Sequence, residues 1–162
     1  MPSKLPDLPA LFRALDAESV RYVLIGGMAV ALHGGSRVTF DSDLAIAFDL
    51  ENRQRLVTAL APYHPIPKHA GEATTVEWDV LSIRGPFTVL QTDFGPLDII
   101  ITLPGVDSFE GLYERADAYL LGGQTIIVAC IQDLIRMKEA SCRPQDELDL
   151  LVLYQLQKLT ES

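Results

Sequence analysis

The sequence predicts an α+β domain in which helices pack on a mixed β-sheet. Short apolar runs bounded by glycine, proline or aspartate predict strands, and longer segments with apolar residues at helical spacing predict helices. In the middle of the chain, successive extended segments are separated only by tight turns, which favours antiparallel pairing there. Helical segments are interspersed with these strands, and this mixed order with adjacent hairpin strands predicts a mixed sheet. The 162 residues are most simply one domain, 1–162.

The predicted elements have the order α-β-α-β-α-β-β-β-α-β-α-α. The first helix opens at Asp7, a capping residue, with Pro9 in its first turn. Its apolar stripe consists of Leu8, Leu11, Phe12 and Leu15. Strands are predicted at 20–25, 44–48, 76–83, 87–92, 97–103 and, as an edge strand, 125–129. Further helices are predicted at 28–33, 50–60, 109–119, 131–140 and 145–159, the last two closing the domain over about 131–159.

Composition limits the classes of function. A net charge of −9 argues against a stand-alone nucleic-acid binder, because such binding relies on lysine and arginine to displace counterions. No apolar run is long enough to span a membrane, and the N-terminus lacks a secretory signal, so we expect a cytoplasmic protein without membrane contact. Cys130 and Cys142 have no zinc or disulfide-framework spacing and are expected to be reduced thiols, although a bridge between them stays open.

A glycine pair comes directly after the first strand. Gly26 and Gly27 let the backbone turn sharply and approach a ligand closely. An ordinary tight turn is the alternative, since the pair lacks the G-x-G-x-x-G spacing of a dinucleotide fold and the spacing of a P-loop. The glycine pair therefore indicates a site only in combination with the acidic residues located further along the chain.

Two acids then lead into the second strand. Alternation along an extended segment places Arg37, Thr39, Asp41 and Asp43 on one side. Two carboxylates about 6–7 Å apart at Cα can hold a hard cation such as Mg²⁺. A solvated loop-to-strand edge is the alternative, but the apolar residues from 44 onward place this strand in the core.

A third acid, Asp98, interrupts an apolar run that otherwise suits a strand covered on both faces. A carboxylate there needs a cation, a hydrogen-bond partner or a metal, and a salt bridge is the simplest answer. If Asp98 lies beside Asp41 and Asp43, the three complete a metal site. The reserve candidates for the third acid are Glu77, Asp79 and Asp93. The histidines His33, His64 and His69 have no zinc-binding spacing.

These features resemble the nucleotidyltransferase superfamily and its small bacterial members. That family has a strand, Gly-Gly or Gly-Ser, a short helix, Asp-x-Asp on the next strand and a third acid on a later one. The matching positions are Gly26, Gly27, Asp41, Asp43 and Asp98. Segments 24–43, 103–106, 109–112, 133–138 and 143–146 are similar to the abortive-infection branch, which includes toxins of toxin–antitoxin systems.

The resemblance implies a nucleotidyltransferase-like sheet and transfer of a nucleotide from a nucleoside triphosphate to a hydroxyl acceptor, a tRNA or a protein. It implies Mg²⁺ or Mn²⁺ bound by the catalytic acids Asp41, Asp43 and Asp98, and a cognate antitoxin or other partner protein. The residues implied in nucleotide binding are Gly26, Gly27, Arg37, Thr39, Lys138, Arg143 and Asp146.

Two departures from the family pattern leave alternatives open. Ser42 replaces a residue that is usually apolar, and Gln145 replaces a lysine, which removes a phosphate-facing charge. One alternative is a nucleotidyltransferase-like binding or regulatory module with weak catalysis. Another is an enzyme that modifies a small molecule such as an antibiotic or a sugar.

Overall fold

The computed structural model describes residues 7–35, 39–68, 77–141 and 143–161. The helices are α1 (Leu8–Ala17), α2 (Gly26–Leu32), α3 (Leu50–Leu60), α4 (Phe109–Arg115), α5 (Ile131–Ser141) and α6 (Pro144–Glu161). The strands are β1 (Tyr22–Ile25), β2 (Ser42–Ile46), β3 (Ile66–Lys68), β4 (Phe87–Thr92), β5 (Gly95–Ile100), β6 (Asp117–Leu121) and β7 (Gln124–Val128).

The strands form one mixed sheet in the order β3-β4-β5-β2-β1-β7-β6. The pairs β2–β5 and β1–β7 are parallel, and the other neighbours are antiparallel. The predicted α+β class with a mixed sheet is therefore confirmed. Every side chain of β1 is buried, as its continuous apolar composition indicates for a central strand.

Helices cover both faces of this sheet. On one face, α1 packs its apolar stripe inward, and the ring of Phe12 lies 4.9 Å from that of Tyr22. The Asp7 carboxylate caps α1 by accepting a hydrogen bond from the Ala10 amide, as the sequence predicts. On the opposite face, α5 and α6 pack against each other and leave a cleft between α5 and the sheet. No helix in the described ranges has the length and apolar character required to cross a bilayer.

The segment between α3 and β4 departs from the prediction at two places. Residues 80–82 form a 3₁₀ turn instead of the predicted strand, because Asp79 caps it through the amides of Leu81 and Ser82. The proline-rich loop contains the short edge strand β3, in which Pro67 pairs with Leu90. Proline is tolerated there because an edge strand leaves one side of its backbone without a ladder partner.

The other departures concern the hairpin near the C-terminus. The helix predicted at 109–119 ends at Arg115, and β6 comes directly after it. Gly122 and Gly123 both have positive φ and form the two-residue turn between β6 and β7. The predicted edge strand at 125–129 is therefore interior, because β6 is the outer strand of the hairpin.

Candidate active site

Two of the predicted acids lie side by side in the cleft. Asp43 on β2 and Asp98 on β5 are direct neighbours in the parallel register of the two strands. Their side chains therefore project from the same face of the sheet, toward α5. The two carboxyl groups lie close enough to share a proton, which contributes to a raised pKa of Asp43 and acts to lower that of Asp98.

The glycine pair borders this acid pair. Gly26 begins α2 with φ +72°, a left-handed conformation that L side chains rarely adopt, and Ile25, the residue before it, pairs with Asp43. A Cβ atom added at Gly26 meets the Asp43 carboxylate and lies 3.0 Å from its Cγ atom. The backbone therefore approaches the acid so closely that the Asp43 carboxylate occupies the space where a side chain of residue 26 would stand.

Proximity and burial change the acidity of the pair. Burial raises the pKa of Asp43 to about 7, and the negative charges of Asp98 and Asp41 contribute to the rise. Burial, followed by the negative charge of Asp41, also raises the pKa of Asp98. Lys138 opposes the rise at Asp43. Two carboxyls that repel each other in a partly dry cleft are a local excess of negative charge, which a cation would relieve.

Asp43 and Asp98 fit a hard divalent cation, since oxygen ligands on adjacent strands are what Mg²⁺ and Mn²⁺ prefer. Asp41 lies just before β2 and is exposed, yet its charge acts on both members of the pair. Within the described ranges, no three acidic, histidine or cysteine side chains stand in an arrangement ready to hold a metal ion. Asp41 would therefore have to turn toward the pair to serve as a third ligand.

Lys138 lies on α5 and reaches the cleft, but carboxylates hold its ammonium group. The Nζ atom is 2.9 Å from Asp146 Oδ1 and 2.9 Å from Asp149 Oδ2, both on α6. All three side chains are nearly fully buried. The resemblance implies that Lys138 faces phosphate, and in the structure it lines the cleft while its ammonium group is paired with two acids of α6.

Arg143 belongs to the same network and is more accessible. Its Nε donates to Asp146 Oδ2 at 3.1 Å, while 60% of its side chain is exposed. Burial alone raises the pKa of Asp146, but hydrogen bonds from Ser141, Lys138 and Arg143 outweigh burial and hold it at about 2. Asp146 is therefore ionised and pairs with both Lys138 and Arg143. Of these two cations, Arg143 is the more exposed to solvent.

The other predicted site residues are less central. Thr39 is half-buried in the segment before β2, Gly27 lies in the first turn of α2, and Arg37 lies outside the described residues. The reserve acids serve other roles, since Asp79 caps a turn and the exposed Asp93 accepts a hydrogen bond from His64 at 2.8 Å. Cys130 is a free, half-buried thiol, and Cys142 falls outside the described ranges.

The sequence does not single out the apolar residues of the cleft. Besides the acids and Lys138, the lining includes Ile25, Phe87, Ile100, Leu103, Pro104, Leu134 and Met137. Most belong to apolar strands or helices that also suit the core, and although Ile25, Leu103, Pro104, Leu134 and Met137 fall in segments that resemble the family, no pattern marks any one of them as a site residue. The sequence signal that could have identified Phe87 is its position directly after Gly85-Pro86, as the first residue of β4.

Solved structures of nucleotidyltransferases share this fold. An antigenic nucleotidyltransferase-like protein from Paracoccidioides brasiliensis matches with a TM-score of 0.65 and 16% identity, over 96% of this chain and 78% of that one. The lincomycin-bound lincosamide antibiotic adenylyltransferase LnuA matches with a TM-score of 0.60 and 16% identity, over 94% and 98% of the two chains.

The antibiotic-resistance factor ANT(2'')-Ia matches with a TM-score of 0.62 and 13% identity, over 96% of this chain and 82% of that one. No protein-family model and no curated protein sequence matches the chain. At such low sequence identity, a structural match over nearly the whole chain shows a shared fold and nothing more. The chain therefore has the nucleotidyltransferase fold.

Proposed function

We propose that the protein is a nucleotidyltransferase that depends on Mg²⁺ or Mn²⁺ and transfers a nucleoside monophosphate from a triphosphate to a hydroxyl acceptor. The observation that carries the proposal is the pairing of Asp43 with Asp98 across adjacent strands, beside the backbone of Gly26, which lines the same cleft. Two carboxylates beside a turn without side chains can hold a cation and leave room for phosphate oxygens. The neighbours that share the fold include adenylyltransferases.

In the proposed reaction the acceptor oxygen forms a bond to the α-phosphorus. The bond from that phosphorus to the oxygen bridging to the β-phosphate breaks, and pyrophosphate leaves with the electron pair. The hydroxyl proton is released as the new bond forms, and Asp98, which lines the cleft beside Asp43, would take it. Arg143 has an exposed guanidinium suited to phosphate oxygens.

Asp43 and Asp98, joined by Asp41, are the residues that would hold the divalent ion. The bound ion supplies positive charge that offsets the charge developing on the attacking and leaving oxygens. Lys138 on α5 adds positive charge near the same site, since its charge lowers the pKa of Asp43. The remaining work of the chain is to orient the substrates, for which no cysteine or histidine nucleophile is required.

Calorimetric titration with ATP and Mg²⁺ tests the site. The double variant Asp43→Asn, Asp98→Asn should lose cation-dependent triphosphate binding, because amides cannot supply the negative charge that holds the ion. Asp41→Asn alone should weaken binding with less effect on stability, since Asp41 is exposed. Asp93→Asn, an exposed acid outside the cleft, is the matched control and should bind like the unmodified protein. Unchanged binding in the double variant would reject the assigned site.

A second assay addresses the acceptor. The protein is incubated with α-labelled ATP, GTP, CTP or UTP and Mg²⁺ or Mn²⁺, together with bulk tRNA, carrier protein or lincomycin. Transfer of label to tRNA or protein supports the toxin–antitoxin type of activity, with a cytoplasmic location and a cognate partner protein. Transfer to lincomycin supports a small-molecule enzyme, the activity that the name of LnuA describes.

A binding module with weak catalysis is the second candidate. Two observations favour it: carboxylates of α6 already hold Lys138 and Arg143, and three metal ligands are not assembled among the residues that the structure describes. Tight, cation-dependent triphosphate binding without transfer to any acceptor supports this candidate. Transfer of label rejects it.

A further inference from the structure

The cleft has two chemically different ends, separated by the acid pair. Across the sheet the order is β1, β2, β5, β4, so Gly26 comes after the strand on one side of the acids and Phe87 lies on the strand at the other. Phe87 pairs with Ile100, two residues beyond Asp98, so it projects from the same face as the acids. It is 54% exposed although it lines the cleft.

The end beside β1 is the charged one. Lys138 lies near enough to Asp43 to lower its pKa, and Arg143 is attached to the same network through Asp146. Phosphate groups are expected at this end because the backbone of Gly26 and the two cations line the cleft there.

The opposite end is apolar. Leu103 and Pro104 from the loop after β5, and Met137 from α5, line the cleft together with Ile100 and the exposed ring of Phe87. Among the described residues that line the cleft, the only cations are Lys138 and Arg143, both at the other end. We call the surface formed by Phe87, Ile100, Leu103, Pro104 and Met137 the apolar wall.

The geometry of in-line displacement determines which end of the cleft the acceptor occupies. The attacking oxygen and the leaving pyrophosphate lie on opposite sides of the α-phosphorus. If the pyrophosphate lies at the charged end, the acceptor hydroxyl has to approach from the side of Asp98 and β4. We infer that the apolar wall is the acceptor subsite, and that the acceptor is a small hydroxyl compound carrying an apolar or aromatic group. The inference rests on the proposed function.

A nucleic-acid acceptor fits this wall poorly. Its phosphates require lysine or arginine along the wall, yet the only cations among the described residues that line the cleft are Lys138 and Arg143, at the phosphate end. The net charge of −9 adds repulsion at longer range. An aromatic or aliphatic group, in contrast, covers the exposed ring of Phe87 and gains from its desolvation.

The test uses two neutral hydroxyl compounds that differ only in their apolar group, phenyl β-glucoside and methyl β-glucoside, and a single-stranded RNA 20-mer as the anionic probe. Binding is measured by saturation-transfer NMR and calorimetry on the full chain with Mg²⁺ and a non-hydrolysable ATP analogue. We expect the phenyl compound to bind about tenfold more tightly than the methyl compound, the equivalent of about 1.4 kcal/mol. The RNA should bind no better than the methyl compound.

Phe87→Ala should abolish the preference for the phenyl compound and leave the affinity for the ATP analogue within about twofold. Phe87→Leu, which keeps an apolar side chain, should retain part of the preference and serves if the alanine variant does not fold. Phe48→Ala, which removes a similarly exposed ring outside the cleft, is the matched control and should keep the preference.

Equal binding of the two glucosides, or a preference that survives Phe87→Ala, overturns the inference. A tenfold loss of ATP-analogue affinity in Phe87→Ala assigns the wall to the nucleobase and also overturns it, as does preferential binding of the RNA. Each of these results leaves the proposed function standing. Failure of the unmodified protein to bind the ATP analogue with Mg²⁺ instead rejects the proposed function and, with it, the inference.

Discussion

Gly26 and Asp43 stand so close together that a side chain at position 26 cannot coexist with the present position of the Asp43 carboxylate. The added Cβ atom lies 3.0 Å from Cγ of Asp43 and meets the carboxylate itself. The glycine therefore does two things: it adopts φ +72°, and it lets an acid of β2 stand directly beside the start of α2. The contact explains why the glycine pair and the acid belong to one site.

Gly26→Ala should abolish cation-dependent triphosphate binding, because the new methyl group displaces the Asp43 carboxylate. Gly123→Ala is the matched control, since Gly123 has φ +79° and no atom within 4 Å of an added Cβ. Both variants should lose about 1–2 kcal/mol from backbone strain, but only Gly26→Ala should lose binding. Calorimetric titration and urea unfolding measure the two effects. Full binding by Gly26→Ala would contradict the close contact.

The acid pair should make stability depend on pH when no divalent ion is present. The folded protein holds the Asp43 proton up to about pH 7, whereas an ordinary aspartate releases it near 3.8. The folded state therefore binds more protons in this window, and its free energy of unfolding should fall as pH rises from about 4 to about 7. The raised pKa of Asp98 acts in the same direction.

Urea unfolding in EDTA at pH 5 and pH 8 measures this dependence. Asp43→Asn should flatten it and stabilise the protein at pH 8 by an amount on the order of 1 kcal/mol or more, because each pKa unit corresponds to about 1.4 kcal/mol. Addition of Mg²⁺ should stabilise the unmodified protein more at pH 8 than at pH 5, since the ion competes with protons. A pH profile that is identical in Asp43→Asn and the unmodified protein would exclude this origin.

The sequence predicts the local elements and marks Asp43 and Asp98 as candidate site acids, because both depend on short patterns. The burial of β1, the cap at Asp7 and the acidic interruption at Asp98 can all be read within a few residues. What places Asp98 opposite Asp43 is the parallel pairing of β2 with β5, two strands that lie more than fifty positions apart in the chain. Strand order and register of this kind are set by packing of the whole sheet.

Other features depend on contacts that local patterns do not contain. The pairing of Lys138 with Asp146 joins two helices, so a solvated lysine and a buried one look alike in the sequence. The strand β6 was hidden because its residues continue an apparent helix, although Gly122-Gly123 is a hairpin signal. The turn at 80–82 shows the reverse case, where apolar β-formers yield to a capping aspartate.

Ser42, which departs from the apolar residue of the resembling family, should lower stability. Its hydroxyl is buried, with the residue 1% exposed, and has no hydrogen-bond partner among the described residues. Ser42→Ala should therefore stabilise the protein by roughly 1 kcal/mol, because an unsatisfied polar group is removed. Ser82→Ala is the matched control: Ser82 is 2% exposed, but its hydroxyl donates to the Glu77 carbonyl at 2.7 Å.

Ser82→Ala should destabilise by about 1 kcal/mol, so the same substitution at similar burial should have opposite signs. Thermal and urea unfolding of both variants give the comparison. Destabilisation by Ser42→Ala would show that the hydroxyl has a partner in solution.

Lys138→Met tests whether the buried ion pairs between α5 and α6 stabilise the fold. The substitution removes the ammonium group that bridges the buried carboxylates of Asp146 and Asp149, although Arg143 still contacts Asp146, and breaking a buried pair costs about 3–5 kcal/mol. Arg55→Met is the matched control, because Arg55 forms an exposed i,i+4 pair with Glu51 and should cost less than about 0.5 kcal/mol. Urea unfolding measures both losses.

Because Lys138 also lowers the pKa of Asp43, Lys138→Met should raise the pH needed for Mg²⁺ binding. A stability loss as small as that of Arg55→Met would mean that the ammonium group is solvated and free to contact phosphate directly.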